Sequence, residues 1–365
     1  MLSPEPLTGL KSIAPYIGGE SQITGIERII KLGSNEGAFG PSKKVMEALK
    51  NNAQEFSRYP DGDCNELREL LANKNQLSKD NIICGAGSDE LISLICRSYA
   101  GPEDEILYSA HGFAMYPIYG RTVRATVISA PETNITVDVD QLLERVTDKT
   151  KLLFIANPNN PTGTYIPRSE IQRLIDLLPK NVLLVLDAAY CEFVDRKDYT
   201  NGAEFVSANE NVVMLRTFSK IYGMAGLRLG WMYAPNDVVD IINRMRSPFN
   251  VSYSAIVAGV AATKDDDFIK FSQEHNKKWL EWTTNNIRAL NLEVPDSFCN
   301  FVLVRFPEDK GRDRTAEAAN NFLKSKGIIV RRMAGYGLPD AIRISIGTGE
   351  EMEITVNILA EFMGL

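Results

Sequence analysis

Short apolar runs alternate with amphipathic stretches from about residue 40 to residue 245. Seven of these runs predict strands: Asn81–Cys84, Ile106–Ser109, Val123–Ser129, Lys151–Ala156, Asn181–Asp187, Asn211–Thr217 and Leu229–Ala234. The stretches between them place apolar residues at helical spacing, as in Ser88–Tyr99, Val139–Val146 and Pro167–Leu178. Runs such as Leu-Leu-Val-Leu are apolar throughout, which is typical of strands covered by helices on both faces. The pattern predicts a doubly wound, mostly parallel α/β domain.

The pattern differs at both ends of this region. The first 35 or so residues show little periodicity and predict an extended arm that lies against another part of the protein. After Ser247 and Pro248 the chain predicts a smaller α+β domain, with helices at Ser252–Thr263, Asp265–Leu290, Thr315–Lys326 and Glu350–Phe362 and strands at Asn300–Phe306, Ile328–Arg332 and Ile342–Ile346. We therefore expect an arm over residues 1–39, a large domain over 40–247 and a small domain over 248–365.

The composition excludes several classes of protein. The 365 residues carry a net charge of −7 without a basic stripe, so nucleic acid and membrane surfaces are not expected as partners. Two histidines are too few for a histidine-rich metal site, and no metal is expected. Five cysteines without a C-x-x-C pair fit a reducing compartment. With no signal-peptide pattern and no apolar run near the ~20 residues that span a bilayer, we expect a cytoplasmic enzyme.

A glycine-rich turn follows the first predicted strand. It reads Gly85-Ala-Gly87-Ser88-Asp89-Glu90, and its serine could cap the next helix, whose free N–H groups would face the turn. Helix N-termini of this kind bind phosphate. The dinucleotide fingerprint needs a third glycine where Glu90 stands, so the motif is incomplete. The turn is either an anion site or a simple connection between strand and helix.

Two further strands end in polar residues. Asn157-Pro-Asn-Asn160-Pro-Thr-Gly163 follows one of them, and loops at the carboxyl ends of parallel strands are where open α/β sheets bind ligands. Asp187 ends the strongly apolar strand, with Tyr190 three residues later. A buried carboxylate needs a cationic or protonated partner. The alternatives are a loop without function and an aspartate that caps the next turn.

A lysine follows the sixth predicted strand, in Thr217-Phe-Ser219-Lys220. Apolar and glycine residues surround it, and a lysine desolvated there would have a lowered pKa and a nucleophilic amine. Most lysines only keep a surface soluble, and this one could do the same. Arg228 lies eight residues on among apolar neighbours, where an unpaired guanidinium is not expected.

Taken together, these motifs are specific. A phosphorylated pyridine aldehyde needs an amine, a carboxylate for the ring nitrogen, donors to the ring oxygen and a phosphate cup. The order of the motifs resembles the fold-type I pyridoxal-phosphate-dependent aminotransferases, most closely the histidinol-phosphate branch. The resemblance extends over nearly the whole chain, from Pro15-Tyr16 and Lys31-Leu-Gly-Ser-Asn35 to Arg343-Ile-Ser-Ile-Gly-Thr348.

The resemblance implies a role for each matching residue. Lys220 would hold pyridoxal 5′-phosphate covalently and carry the proton between substrate Cα and cofactor C4′. Asp187 would keep the ring nitrogen protonated, Tyr190 would bond the ring oxygen, and these three would form the catalytic set. The remaining cofactor contacts would come from Gly87, Ser88, Asp89, Phe113, Asn160, Thr217, Ser219 and Arg228.

The resemblance also implies a substrate site and a dimer. Tyr16, Asn35, Arg331 and Arg343 match substrate-binding positions, and an arginine fork suits carboxylate and phosphate alike. Arg343 could instead be an outward residue of an alternating strand. In the family, the tyrosine that matches Tyr59 reaches the partner's cofactor phosphate, so a homodimer is implied, with the arm at its contact.

The sequence departs from the family pattern at a few positions. Asn35-Glu-Gly-Ala-Phe-Gly40 replaces Asn-Glu-Asn-Pro-Leu/Tyr-Gly, Ala188 stands where glutamate is common, Phe113 where tyrosine is frequent, and Arg332 where proline is frequent. The first and last of these border the expected substrate pocket, so they bear on substrate identity more than on reaction type.

The expected reaction is a ping-pong transamination. Glutamate would give its amino group to the cofactor and leave as 2-oxoglutarate, and imidazole-acetol phosphate would accept it to form L-histidinol phosphate in histidine biosynthesis. The rivals are an aromatic amino acid aminotransferase for phenylalanine and tyrosine and a decarboxylase of a phosphorylated amino acid. An NAD-dependent dehydrogenase would explain the glycine-rich turn but neither the Asn157–Gly163 loop nor Lys220.

Overall fold

The computed structural model describes residues 4–16, 18–307 and 314–365. The helices are α1 Lys43–Asn51, α2 Asn65–Asn75, α3 Ser88–Tyr99, α4 Met115–Thr122, α5 Val139–Leu143, α6 Arg168–Leu177, α7 Ala203–Val206, α8 Asn236–Met245, α9 Tyr253–Thr263, α10 Asp266–Ala289, α11 Ala316–Ser325 and α12 Gly349–Met363. The strands are β1 Ile30–Lys31, β2 Ile82–Gly85, β3 Glu105–Ser109, β4 Thr126–Ala130, β5 Glu132–Thr133, β6 Thr136–Val137, β7 Thr150–Ala156, β8 Leu183–Asp187, β9 Val212–Thr217, β10 Gly230–Tyr233, β11 Phe301–Arg305, β12 Ile328–Ile329, β13 Arg331–Arg332 and β14 Ala341–Ser345.

The seven strands predicted in the central region form one sheet. Its order is β2-β10-β9-β8-β7-β3-β4, and β10 alone in this sheet runs antiparallel to its neighbours. Alternate residues of the strands point into two separate cores: Leu184 and Leu186 face one, Leu183 and Val185 the other. Helices cover both faces, as the continuous apolar runs predict. The predicted doubly wound, mostly parallel sheet is confirmed.

The C-terminal part has its own core, built on helices α10, α11 and α12. Its main sheet is the antiparallel β11-β14-β13. The single strand predicted over Ile328–Arg332 is wrong in one respect, because the chain divides it between two sheets. β12 pairs in parallel with β1 of the arm, whereas β13 pairs with β14. The arm therefore lies against the C-terminal part, and Arg331 begins the strand that follows the change of sheet.

The division into an arm, a large domain and a small domain stays a prediction. Helix α9 packs against α1 and α2, and its buried alanines belong to the core on one face of the large sheet. This packing favours a boundary nearer Asp265 than the predicted 247/248. Among the helices in the described part of the chain, none is long and apolar enough to cross a membrane.

Candidate active site

The carboxyl ends of the parallel strands meet at one edge of the large sheet, as they must when strands run in the same direction. A cavity of about 410 Å³ lies there, between this edge, the arm and the C-terminal part. Fourteen of the predicted site residues line it: Tyr16, Asn35, Ser88, Asp89, Phe113, Asn160, Asp187, Tyr190, Thr217, Ser219, Lys220, Arg228, Arg331 and Arg343. Gly87 and Tyr59 do not.

Asp187 ends β8 with a carboxylate that is almost completely buried. It accepts hydrogen bonds from the Tyr116 hydroxyl at 2.8 Å and from the backbone N–H of Ala189 at 3.1 Å. Burial raises the pKa of Asp187 to about 6, although these hydrogen bonds and the charge of Lys220 act in the opposite direction. The carboxylate is thus fixed in orientation and would gain from a cationic group in the cavity.

Lys220 lies three residues after β9, half-buried in the wall of the same cavity. Its Nζ is 3.5 Å from the carbonyl oxygen of Ser34 and 5.6 Å from the centre of the Tyr190 ring. Desolvation, together with the charges of Arg343 and Arg228, lowers the pKa of Lys220 to about 8. A substantial fraction of the amine is therefore unprotonated, and nucleophilic, slightly above neutral pH.

Two hydrogen bonds connect residues at the edge of the large sheet to the arm and to β14. The Asn35 side-chain amide donates to the Tyr190 hydroxyl at 2.8 Å, and Arg343 donates to the side-chain oxygen of Asn160. Burial raises the pKa of Tyr190, so its phenol keeps its proton and can donate. These pairs join residues that lie more than 150 positions apart in the chain.

Arg343 is buried, and the central carbon of its planar guanidinium lies 5.3 Å from the centre of the Phe301 ring. Its Nη2 donates to the Gly33 carbonyl at 3.0 Å. Its Nε has no hydrogen-bond partner among the described residues. A buried donor without a partner is costly, and it marks a position that an anionic ligand could satisfy.

Arg331 and Tyr16 form the outer wall of the cavity. The guanidinium carbon of Arg331 lies 5.8 Å from the centre of the Tyr16 ring, whose side chain is half exposed. Tyr336 lines the same wall, close to both. The aromatic rings and the two arginines give this end of the cavity a cationic wall with flat apolar surfaces.

The glycine-rich turn and Arg228 form the opposite end. Helix α3 begins at Ser88, so the N–H groups of its first turn, which have no intrahelical partner, face the cavity. A Cβ on Gly87, where φ is +85°, would lie 2.5 Å from Nη2 of Arg228, and a Cβ on Gly230 would collide with the backbone nitrogen of Ser88. The positive φ favours glycine at position 87, and only glycine at position 230 lets β10 pack this closely against the backbone of the turn. Nη1 of Arg228 lies 3.5 Å from the Ser219 hydroxyl.

Tyr59 lies outside the cavity, and its role in a partner's site stays a prediction. Its side chain is 82% exposed and stacks on Phe249, with ring centres 4.6 Å apart. Phe113 does line the cavity, with its edge against the ring of Tyr116 at 5.7 Å.

The sequence reasoning missed several residues of the cavity. Tyr116 is the most important, because its hydroxyl donates to Asp187, and no local motif distinguished it from the other tyrosine of the same short helix, Tyr119. Ser34, Glu36 and Tyr336 also line the cavity. The first two adjoin Asn35, so the neighbourhood of a predicted residue could have found them.

Comparisons with known proteins point to one family. The family model for aminotransferase class I and II matches residues 27–359. The histidinol-phosphate aminotransferase of Paramagnetospirillum magneticum is 54% identical over 364 residues, 100% of each chain, and that of Rhodospirillum rubrum is 52% identical, with 99% of this chain and 97% of the relative covered. The crystal structure of the histidinol-phosphate aminotransferase from Sinorhizobium meliloti in complex with pyridoxal-5′-phosphate superposes with a TM-score of 0.91 at 28% identity, over 99% of this chain and 98% of that chain.

Proposed function

Because the chain belongs to the class I and II aminotransferases, we propose that it is a pyridoxal-phosphate-dependent transaminase of histidine biosynthesis. It would move an amino group from glutamate to imidazole-acetol phosphate, which gives 2-oxoglutarate and L-histidinol phosphate. The observation that carries the proposal is one cavity that holds Lys220, Asp187, Arg331 and Arg343 together. The relatives that match at full length are named for this substrate, which supports its choice.

The residues of the cavity fit pyridoxal phosphate. Asp187 is a buried carboxylate that gains from a protonated ring nitrogen, and burial costs such a group less when it is paired. The helix end at Ser88, Ser219 and Arg228 form a phosphate cup, while Phe113 offers a ring face. When bound, the cofactor supplies an aromatic ring that withdraws electrons from the substrate Cα.

In the proposed reaction Lys220 moves the proton. Its Nζ would hold the cofactor between turnovers and, once displaced by the substrate amine, would take the proton from the substrate Cα and deliver it to C4′ of the cofactor. The lowered pKa of about 8 suits both tasks, because the amine must be unprotonated to accept a proton near neutral pH. The charges of Arg343 and Arg228 help to keep it so.

Asp187, Tyr190 and Asn160 tune the cofactor in this proposal. Asp187 would hold a proton on the ring nitrogen, and Tyr116 would fix the direction of the carboxylate through its hydrogen bond at 2.8 Å. Tyr190 and Asn160 would bond the ring oxygen. Because Asn160 also accepts from Arg343, this part of the cofactor site is joined to the substrate site.

Arg331 and Arg343 would bind the anionic groups of the two substrates. Glutamate brings two carboxylates and histidinol phosphate one phosphate, and guanidinium groups bind all of these through paired hydrogen bonds. The unpartnered Nε of Arg343 supports its role, and Tyr16 and Asn35 would complete the site. The aromatic wall of Tyr16 and Tyr336 also favours a second candidate, an aromatic amino acid aminotransferase for phenylalanine and tyrosine.

We further propose a homodimer in which Tyr59 contacts the partner's cofactor phosphate. Tyr59 belongs to a group of exposed aromatic and apolar side chains with Phe56 and Phe249, and such groups on a surface mark protein interfaces. A cytoplasmic location is part of the same proposal, since the five cysteines, all in the described part of the chain, are unpaired.

The proposal is tested on the purified protein. We expect visible absorbance from bound pyridoxal phosphate that borohydride bleaches, which leaves the cofactor covalently attached to the protein. Lys220→Ala should abolish this covalent attachment, while Lys180→Ala, which changes an exposed lysine remote from the cavity, should leave it intact. The ratio of kcat/KM for histidinol phosphate to that for phenylalanine and tyrosine then decides the substrate. A colourless protein that binds NAD would overturn the proposed function, and a ratio below one would favour the second candidate.

A further inference from the structure

A chain of hydrogen bonds leads from the glycine-rich turn to residues that do not line the cavity. The backbone N–H of Ala86 donates to a carboxylate oxygen of Glu90 at 2.6 Å. The side-chain amide of Asn250 donates to the same oxygen at 2.7 Å, and its own oxygen accepts from Arg246 at 3.1 Å. The shape of the turn is therefore linked, through one asparagine, to an arginine just beyond helix α8.

Arg246 continues the chain to the segment that carries Tyr59. Its guanidinium donates to the carbonyl of Gly62 at 2.7 Å and pairs with Asp63 at 3.0 Å. The Arg246 side chain is 14% exposed and that of Asp63 is 66% exposed, so water screens the ion pair, and the hydrogen bond to the Gly62 carbonyl is the firmer contact. Gly62 follows Tyr59 by three residues, so these contacts fix the segment that carries Tyr59 at Gly62 and Asp63.

Phe249, the residue before Asn250, also contacts the segment that carries Tyr59. Its backbone has φ of +54°, a left-handed conformation that bulky residues adopt only where their surroundings impose it. This conformation places its ring on Tyr59, with 20° between the ring planes. Residues 246–250 thus contact Gly62 and Asp63 through Arg246, the Tyr59 ring through Phe249 and the glycine-rich turn through Asn250.

We infer that Asn250 is a positioning residue that fixes the glycine-rich turn and the Tyr59 segment relative to each other. The inference rests on the proposed function, in which the turn binds the subunit's own cofactor phosphate and Tyr59 reaches the partner's. In each subunit, this one hydrogen-bond network then fixes both the turn that binds the subunit's own cofactor phosphate and the tyrosine that reaches the partner's. The two cofactor sites of the dimer are coupled through residues that touch neither cofactor.

The chemistry of the network makes Asn250 hard to replace. The amide carries its donor and its acceptor on two separate atoms, so Asn250 donates to Glu90 through its nitrogen while its oxygen accepts from Arg246. An aspartate of the same size would still accept from Arg246 but would set a second carboxylate against Glu90. A glutamine at position 90 would keep an oxygen that accepts from Ala86 and would remove the negative charge that faces this second carboxylate, although that oxygen would then receive one hydrogen bond instead of two.

The test is a double-variant cycle on the full-length holoenzyme. We expect Asn250→Asp to weaken pyridoxal phosphate binding about tenfold, measured by fluorescence titration after removal of the cofactor, because a hydrogen bond between an amide and a charged group is lost. We expect Tyr59→Phe to cost about tenfold in the wild type but less than threefold when combined with Asn250→Asp. Amide hydrogen exchange should become faster in Asn250→Asp over residues 58–64 as well as 84–91.

Two further variants separate positioning from a general loss of structure. Glu90→Gln in the Asn250→Asp background should restore part of the affinity, because the like charge is removed. Asn209→Asp, which changes a half-buried asparagine far from the network that also donates to a backbone carbonyl, should change nothing. An unchanged affinity in Asn250→Asp, no rescue, or an equal cost of Tyr59→Phe in both backgrounds would overturn the inference while the proposed function stands. A wild type that binds no pyridoxal phosphate overturns both.

Discussion

Replacing Asp187 with asparagine removes a buried charge while almost preserving the shape of the side chain. One side-chain oxygen remains to accept from the N–H of Ala189, and the Tyr116 hydroxyl, which can also accept, can face the new amide group. The substitution therefore isolates the cost of the buried carboxylate. In the cofactor-free protein this cost is not offset by a ring nitrogen, so we expect the Asp187→Asn protein to be the more stable of the two.

The size of the effect follows from the pKa. In the folded protein the pKa of Asp187 is about 6. An unfolded aspartate has a value of about 3.9, and each pKa unit corresponds to about 1.4 kcal/mol, so the carboxylate costs about 3 kcal/mol above pH 6. Because the folded pKa is the higher one, the native aspartate favours folding at low pH and loses that contribution as pH rises from about 4 to about 6. The advantage of Asp187→Asn should thus be about 3 kcal/mol at pH 7.5 and about half of that at pH 5.

The assay is urea unfolding of the two cofactor-free proteins at both pH values, with Asp176→Asn, an exposed position, as the control expected to lie within about 0.5 kcal/mol of the wild type. Adding pyridoxal phosphate should reverse the order, since the wild type binds it more tightly and ligand binding stabilises the folded state. The reasoning is refuted if Asp187→Asn is less stable than the wild type without cofactor at pH 7.5, or if the difference does not change with pH.

Three further predictions concern the same cavity. The rate at which pyridoxal phosphate attaches to the cofactor-free protein, measured by stopped-flow absorbance, should rise with pH through the pKa of Lys220, about 8. Arg343→Gln should move this rise to higher pH, because the lysine loses a positive neighbour. An unchanged pH dependence in Arg343→Gln would contradict the cause given for the lowered pKa. Arg331→Ala should lower kcat/KM for histidinol phosphate 10- to 100-fold, the equivalent of about 1.5–3 kcal/mol, and should lower kcat/KM for phenylalanine far less. An equal loss of kcat/KM on both donors would exclude a phosphate-binding role for Arg331. Gly230→Ala should destabilise the protein by about 1–3 kcal/mol in thermal unfolding and weaken cofactor binding. Gly226→Ala, with no atom within 4 Å of the added carbon, should do neither. Similar behaviour of the two variants would contradict the close packing of Gly230 against the turn.

The sequence predicted the elements of the large sheet because their signal is local. A run such as Leu183–Asp187 is apolar on both faces and ends in a charge, and no distant information is needed to place it. The strand expected over Ile328–Arg332 shows the limit. Its five residues look continuous, but the partner strands β1 and β14 divide it, and pairing with a segment almost 300 residues away leaves no local trace.

The same distinction applies to the cavity. Lys220, Asp187 and Asn160 were predictable because each follows a strand end with an unusual local motif. The hydroxyl of Tyr116 on Asp187 and the amide of Asn35 on Tyr190 were not, since both contacts exist only after packing joins residues 71 and 155 positions apart. Glu90 shows a third case. It looked like a missing glycine of a dinucleotide motif, whereas its carboxylate holds the turn by accepting from Ala86.

The contacts that join the arm to the end of the chain determine when the cavity can form during synthesis. The backbone N–H of Asn35 donates to Ser345, and Arg343 donates to Gly33, across 310 residues in each case. The ribosome makes the arm before these partners, so the arm is without them until residue 345 has been made. The large sheet can form before that moment, but its lysine stays open to water and to other aldehydes until Arg343 and Ser345 have joined the arm. A chain cut short before residue 341 would have the sheet and the lysine and would lack the wall that selects what reaches them.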